Sequence, residues 1–296
     1  MNRRKFFKAS AVTAGALAIS GGAIYAITRD SDTLDDHFEG TYKVLAARFG
    51  NDRANSLMKD IRQEHEALTP EVPYIGGKEN MFTEWLIYGV YYLTVYRVLK
   101  AEGQGVENVG QMIFDTFQAM ADYPKWLLRI VGSLKYNRRY VSRLKEAVAR
   151  TQERRYPGDW VATFVEGDGT EFDYGIDITE CGICKFYRAK GAEELAPYLC
   201  LSDYVVSSAF DRGLVRYKTL AEGDEVCDFR YKKGRGTFVN PLREGWPPKF
   251  LMGFRLWPRS NSRITEESWS RNLGIGSVGK NTTAIELNKT GDKHSG

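Results

Sequence analysis

The chain has 296 residues, of which 43% are hydrophobic and 27% are charged, a balance typical of a folded globular protein rather than of a disordered or fibrous chain. The net charge of +4 is too small to indicate a nucleic-acid partner. The three histidines, His37, His65 and His294, are not near a recognisable nucleophile motif. This argues against a Ser-His-Asp triad and against a histidine-based zinc site.

The N-terminus carries the pattern of a twin-arginine export signal. Arg3 and Arg4 precede an aromatic pair, and residues 9–28 then form an uncharged, weakly apolar stretch. We therefore expect the twin-arginine translocase to recognise residues 1–30, and the protein to be periplasmic. No clean Ala-x-Ala cleavage site lies near residues 23–26. Since about 20 apolar residues cross a bilayer, an uncleaved signal would instead anchor the protein to the periplasmic face of the inner membrane.

Residues 31–156 have the apolar spacing of a helical bundle. Four predicted helices share apolar residues at every third or fourth position: residues 34–49, 54–68, 81–99 and 106–120. Residues 81–99 are the most apolar, but only 12 residues separate Glu84 from Arg97, too few for a membrane span. We expect this segment to be the central buried helix.

Residues 125–155 are strongly basic, with ten Lys or Arg residues against Glu146 and Glu153. Such a run is often a solvated helix face. The alternative is a basic surface that contacts an anionic membrane, supported by three aromatic residues, Trp126, Tyr136 and Tyr140. Nucleic-acid binding is the use least expected of an exported chain.

Residues 157–251 change to a β-rich pattern. Four segments have strand-like composition: residues 160–165, 172–178, 214–220 and 226–232. Gly/Asp turns join them in pairs, and a helical stretch broken near Gly191 and Pro197 lies between the pairs. We predict an α+β fold, in which an N-terminal helical bundle packs on a small antiparallel four-stranded sheet with helices on one face.

The chain has four cysteines, Cys181, Cys184, Cys200 and Cys227, and all lie within 47 residues of one another. The surrounding motifs are Pro197-Tyr198-Leu199-Cys200 with Asp203 after it, and Thr219-Leu220 with Gly223 before Cys227-Asp228-Phe229-Arg230. Together with the helical half, they resemble the L-2-amino-thiazoline-4-carboxylic acid hydrolase family over roughly residues 35–251. The Gly-x-x-x-Cys-x-Phe ending is also similar, more distantly, to the 4-vinyl reductase domain.

The family resemblance implies hydrolytic opening of a small thiazoline carboxylate, on a route toward cysteine. It carries over five residues of the pattern: Cys181, Cys200, Asp203, Cys227 and Asp228. On this basis the chain is expected to be a hydrolase that acts on a cyclic amidine-type C–N bond, with a small-molecule carboxylate as substrate.

Cys200, Asp203 and Cys227 are the candidate catalytic residues. Cys200 and Asp203 are three positions apart and would share one face of a helix. A thiol attacks well only if its pKa is lowered, and Asp203 would serve as acid or base if burial raised its pKa. The alternative interpretation is that the cysteines are small buried apolar residues and that Asp203 caps a helix.

The candidate substrate-binding residues are Cys181, Arg216, Asp228 and Arg230. The two arginines would hold the substrate carboxylate through paired hydrogen bonds. Each arginine is alternatively a surface or ion-pair residue.

Three further interpretations of the cysteine segment stay open. The four cysteines would suit a Cys₄ zinc site by their residue type, although only the first pair is closely spaced, and the main hypothesis needs no cofactor. A disulfide is compatible with an oxidising periplasm. The chain would otherwise be a non-enzymatic domain that binds a small molecule or metal at the membrane surface.

Residues 31–251 are predicted to form the hydrolase-like domain, and residues 252–296 a mostly disordered tail. Residues 274–280 look like a phosphate-binding loop, but Asn281 stands where Ser or Thr is required for magnesium, so we reject that motif.

Overall fold

The computed structural model describes residues 34–237. The predicted export signal and the predicted disordered tail lie outside the described residues. The α-helices are, in chain order, α1 Leu34–Phe49, α2 Asn51–Leu68, α3 Thr83–Ala101, α4 Val106–Met120, α5 Lys125–Leu134, α6 Arg138–Thr151, α7 Gly182–Ala189, α8 Ala196–Cys200 and α9 Ser202–Ala209. The strands are β1 Val161–Glu166, β2 Tyr174–Glu180, β3 Leu214–Val215 and β4 Cys227–Tyr231.

The first four helices form the predicted bundle around α3. This helix buries residues on most of its sides, Tyr91, Tyr92 and Leu93 among them, because apolar side chains occupy consecutive positions rather than one stripe. Helix α1 packs against α2 and α4, and α2 packs against α3. The central position predicted for this segment is confirmed. Within residues 34–237, no helix is long and apolar enough to cross a membrane.

The sheet is antiparallel and four-stranded, with strand order β1-β2-β4-β3, as predicted. Side chains alternate along β4, so Cys227, Phe229 and Tyr231 are buried while Asp228 and Arg230 remain partly exposed. The buried set joins the same hydrophobic core as helix α3. Because of this alternation, Cys227 faces the core, whereas Asp228 and Arg230 face the opposite side of the sheet.

The strand predicted over residues 214–220 is wrong in its length. Strand β3 ends at Val215, and Leu220–Glu222 form a 3-10 helix instead. The strand is shorter because the Asp228 carboxylate accepts hydrogen bonds from the backbone amides of Tyr217 and Lys218, at 2.9 and 2.6 Å. These side-chain bonds replace the ladder bonds that a longer strand would make.

The stretch between the two strand pairs is divided among three short helices. Gly191 has φ 61 and lies beyond the end of α7, at the first predicted break. Helix α8 begins at Ala196 with Pro197 in its first turn, which agrees with the predicted start near this proline. Cys200 is the last residue of α8, and Asp203 lies in the first turn of α9, so they belong to consecutive helices rather than to one.

Candidate active site

Cys200 and Cys227 come together at Thr219, although they are 27 positions apart in sequence. The Thr219 hydroxyl lies 3.4 Å from the sulfur of Cys227 and 3.8 Å from that of Cys200. The amide of Leu220 also donates to the Cys227 sulfur at 3.2 Å. Thr219 was present in the sequence motif but was not predicted as a site residue. The turn that follows β3 therefore brings the two candidate catalytic thiols into one cluster.

Arg216 joins the cluster to Asp203. Only 2% of the Arg216 side-chain surface is exposed, and its guanidinium donates to Oδ2 of Asp203 at 2.6 Å and to the carbonyl oxygen of Cys200 at 2.9 Å. The rings of Tyr204 and Phe229 lie on the guanidinium, each 4.9 Å from it. The side chain predicted to hold a substrate carboxylate is thus paired with a carboxylate of the protein.

The surroundings keep the two thiols protonated. Burial raises the pKa of Cys200, and the nearby Arg216 only partly opposes this effect. Burial also raises the pKa of Cys227, against the hydrogen bonds from Thr219 and Leu220. Because the thiolate is the reactive form, these shifts do not supply the activated nucleophile on which a catalytic Cys200 depends.

Asp203 differs from the thiols because 40% of its side-chain surface remains exposed. Partial burial raises the pKa of Asp203 above its ordinary value, and the guanidinium of Arg216 opposes the shift. A carboxylate that is both reachable and shifted toward neutral pH is suited to proton transfer. Asp203 therefore meets the condition stated for an acid or base, namely a pKa that burial raises.

Cys181 lies beside this cluster, at the residue that precedes helix α7. A charge on Cys181 would raise the pKa values of both Cys200 and Cys227, which indicates that its sulfur lies near theirs. Among residues 34–237, however, no three His, Cys, Asp or Glu side chains are arranged to hold a metal ion. The geometry therefore does not form the Cys₄ cage considered as an alternative.

The structure does not bring Asp228 and Arg230 to the thiol cluster. They alternate with Cys227 and Phe229 along β4 and lie on the opposite face of the sheet. Asp228 accepts the backbone hydrogen bonds that end strand β3, and Arg230 donates to Oδ1 of Asp177 at 2.7 Å. Their predicted role in substrate binding stays a prediction, and these contacts do not support it.

Fold and site together define a mainly helical α+β domain that encloses a thiol cluster beside a buried arginine and a partly exposed aspartate. Residues 87–231 match the model of a family described as L-2-amino-thiazoline-4-carboxylic acid hydrolase. The match begins within α3 and ends at the last residue of β4, so it includes the whole cluster. It supports the resemblance, over a shorter range than residues 35–251.

No curated protein and no solved structure matches the chain. The likeness to the 4-vinyl reductase domain stays a prediction.

Proposed function

We propose that this protein is a hydrolase-like enzyme that opens a small heterocyclic carboxylate such as L-2-amino-thiazoline-4-carboxylate. The observation that carries the proposal is the pairing of partly exposed Asp203 with buried Arg216 inside the segment that matches the hydrolase family. Arg216 is a positioning residue, since it fixes one oxygen of Asp203 and leaves the rest of the carboxylate for water or substrate. The neighbouring thiols of Cys200 and Cys227 are uncharged side chains of the site.

The proposed reaction adds water to the ring carbon that lies between nitrogen and sulfur. Asp203 accepts a proton from the attacking water, whose oxygen forms the new bond to carbon. The C–N bond then breaks, both water protons end on the departing nitrogen, and the former ring carbon becomes a carbonyl attached to sulfur. Cys200, whose pKa is raised by burial, stays a neutral thiol and takes no proton in this step.

The test is the substitution Asp203→Asn, which preserves shape and removes the basic oxygen. We expect it to lower kcat by about 10²–10⁴-fold, the usual contribution of a general acid–base group. Turnover of the thiazoline carboxylate is followed by mass spectrometry, and a thiol assay distinguishes C–N opening from C–S opening, which alone releases a free thiol. A free-thiol product would overturn the C–N assignment while leaving hydrolysis intact.

Asp211→Asn provides the matched control. Asp211 lies just beyond α9 and pairs with Arg129 on the surface at 3.4 Å, and its φ of 55 is one that asparagine adopts readily. This variant should retain the wild-type rate. Equal rates in the Asp203 variant and the control would remove Asp203 from the mechanism.

The second candidate is a domain that binds a small molecule without converting it. The raised pKa values of Cys200 and Cys227, both caused first by burial, favour a neutral site of this kind. Titration calorimetry with the same compound separates the two functions. Saturable binding without turnover by the wild-type chain would favour the binding domain.

A further inference from the structure

We infer that Cys181 and Cys184 form a reversible dithiol–disulfide couple that exchanges with an external low-molecular-weight disulfide. This activity goes beyond the proposed hydrolysis and does not depend on it. The inference begins from the run Cys181-Gly182-Ile183-Cys184, placed where strand β2 passes into helix α7.

The backbone brings the two thiols face to face. Cys181 is the N-cap of α7, with φ −114 and ψ 122, and Cys184 is the third residue of the helix. Side chains at these two positions meet across the first helical turn, as in a capping box. The neighbouring thiol of Cys184 is the first cause that raises the pKa of Cys181, which agrees with this proximity. Both cysteines are partly exposed, so the pair is reachable from solvent.

Packing holds the two intervening residues in place. A Cβ atom on Gly182 would lie 2.6 Å from the carbonyl oxygen of Gly158 and 2.6 Å from the Trp160 ring, so only glycine fits there. The side chain of Ile183 packs closely on Gly89 of helix α3, where an added Cβ would be 2.9 Å from it. Since both positions are anchored to the core, the thiols keep their separation without ordering a flexible loop.

The electron balance is that of thiol–disulfide exchange. In a dithiol couple of this spacing, one thiolate attacks and the other thiol closes the ring. One thiol of the pair loses its proton, and its thiolate attacks one sulfur of an external disulfide, forming a mixed disulfide and expelling one thiolate. The other thiol then loses its proton and attacks the protein sulfur of the mixed disulfide, which closes the Cys181–Cys184 bond and expels the second thiolate. Two electrons and two protons pass from the protein to the external disulfide, whose class, a low-molecular-weight disulfide, is the oxidant.

The couple lies close to the candidate active site. Tyr187, one turn along α7 from Cys184, is fully buried, and its hydroxyl donates to the carbonyl oxygen of Gly89 at 2.8 Å. Besides burial, charges on Cys200, Cys184 and Cys181 would raise the pKa of Tyr187, so this tyrosine lies near thiols of both groups.

The test equilibrates the purified 296-residue chain with glutathione and glutathione disulfide over a wide range of ratios. Free thiols are then trapped by rapid alkylation, and the products are mapped by peptide mass spectrometry. We expect the oxidised protein to lose two of its four free thiols, with the new disulfide in the peptide that contains Cys181 and Cys184. The map uses the wild-type chain, so the result does not depend on a variant that folds.

Two variants test the role of each thiol. Cys181→Ser and Cys184→Ser should each fail to close the disulfide, and the cysteine that remains in the pair should carry a glutathione adduct. Cys200→Ser is the matched control and should still close the disulfide. Four free thiols at every ratio, or a disulfide that includes Cys200 or Cys227, would overturn the couple.

Discussion

At the scale of single residues, the site depends on how closely helix α8 approaches the bundle. Gly110 of helix α4 lies against Tyr198 of α8, and an added Cβ would be 2.3 Å from Cδ1 and 2.8 Å from Cβ of that tyrosine. A ring atom can rotate away from such a contact, but the tyrosine Cβ cannot move without its backbone. The helix that carries Cys200 therefore requires glycine at this position.

We predict that Gly110→Ala destabilises the protein. Ala favours a helix interior by about 1 kcal/mol over Gly, but overpacking of this severity costs about 1–3 kcal/mol or more. The expected net loss is on the order of 1–2 kcal/mol in the free energy of unfolding, measured by urea denaturation. Gly105→Ala, where nothing lies within 4 Å of the new atom, should change stability by less than about 1 kcal/mol. Equal losses in the two variants would contradict the steric account.

At the scale of elements, helices α5 and α6 present a basic and partly apolar surface. Trp126 and Ile130 are one turn apart on α5, with 48% and 44% of their surface exposed. Arg139, Arg143 and Arg150 are exposed along one face of α6, at spacings of four and seven. Exposed cationic and interfacial apolar residues on consecutive helices are features of a segment that lies on an anionic bilayer, and we propose this partner for the surface.

The proposed membrane contact is tested by sedimentation with lipid vesicles. Replacement of Arg139, Arg143 and Arg150 by Gln should weaken binding to vesicles that contain phosphatidylglycerol, since each basic residue near an anionic surface contributes about 1 kcal/mol. Binding to pure phosphatidylcholine vesicles should be weaker and should not change.

The matched control replaces three exposed cations of α1 and α2, namely Lys43, Arg53 and Lys59, by Gln. It alters the net charge equally and should leave vesicle binding close to that of the wild type. An equal loss in both triple variants would show that net charge, rather than this surface, governs the binding.

At the scale of the whole molecule, the titration of buried groups makes stability depend on pH. The neighbouring Cys184 thiol is the first cause that raises the pKa of Cys181, and burial raises the pKa of Cys200 and of Cys227. In the unfolded chain, thiols ionise near about pH 8.5, while in the folded protein they keep their protons. The unfolded state then binds fewer protons, so stability falls as pH rises above that point.

We therefore predict that the free energy of unfolding is nearly constant from neutral pH to about pH 8 and declines above about pH 8.5. Each thiol contributes a slope of up to about 1.4 kcal/mol per pH unit once it is ionised only in the unfolded state. Urea midpoints measured at a series of pH values test this, and Cys200→Ser should have a shallower decline. A stability that stays level or rises above that pH would contradict the burial of the thiols.

The predicted export and membrane anchoring also belong to this scale. They depend on residues 1–30, and they stay predictions. Substitution of Arg3 and Arg4 by Lys is the direct test, since it removes the twin-arginine pair without changing charge.

The sequence by itself determined the elements whose signals are local. The bounds predicted for residues 34–49 and 106–120 are those of α1 and α4, because a helix is set by apolar spacing over a few turns. Local alternation likewise predicted the first strand pair and the antiparallel sheet. The cysteine segment stood out from motif spacing alone, and residues 87–231 match the family named on that basis.

Only the tertiary structure decided which of these residues act together. From the sequence, Arg216 and Arg230 were equivalent candidates, yet Arg216 is buried against Asp203, 13 residues away, and Arg230 pairs with Asp177, 53 residues away, on the other face of the sheet. Likewise, Cys200 lacks the lowered pKa of a nucleophile because burial, which no local pattern specifies, raises it. Face, burial and ion pairing depend on contacts between distant segments, and those contacts form only when the chain folds.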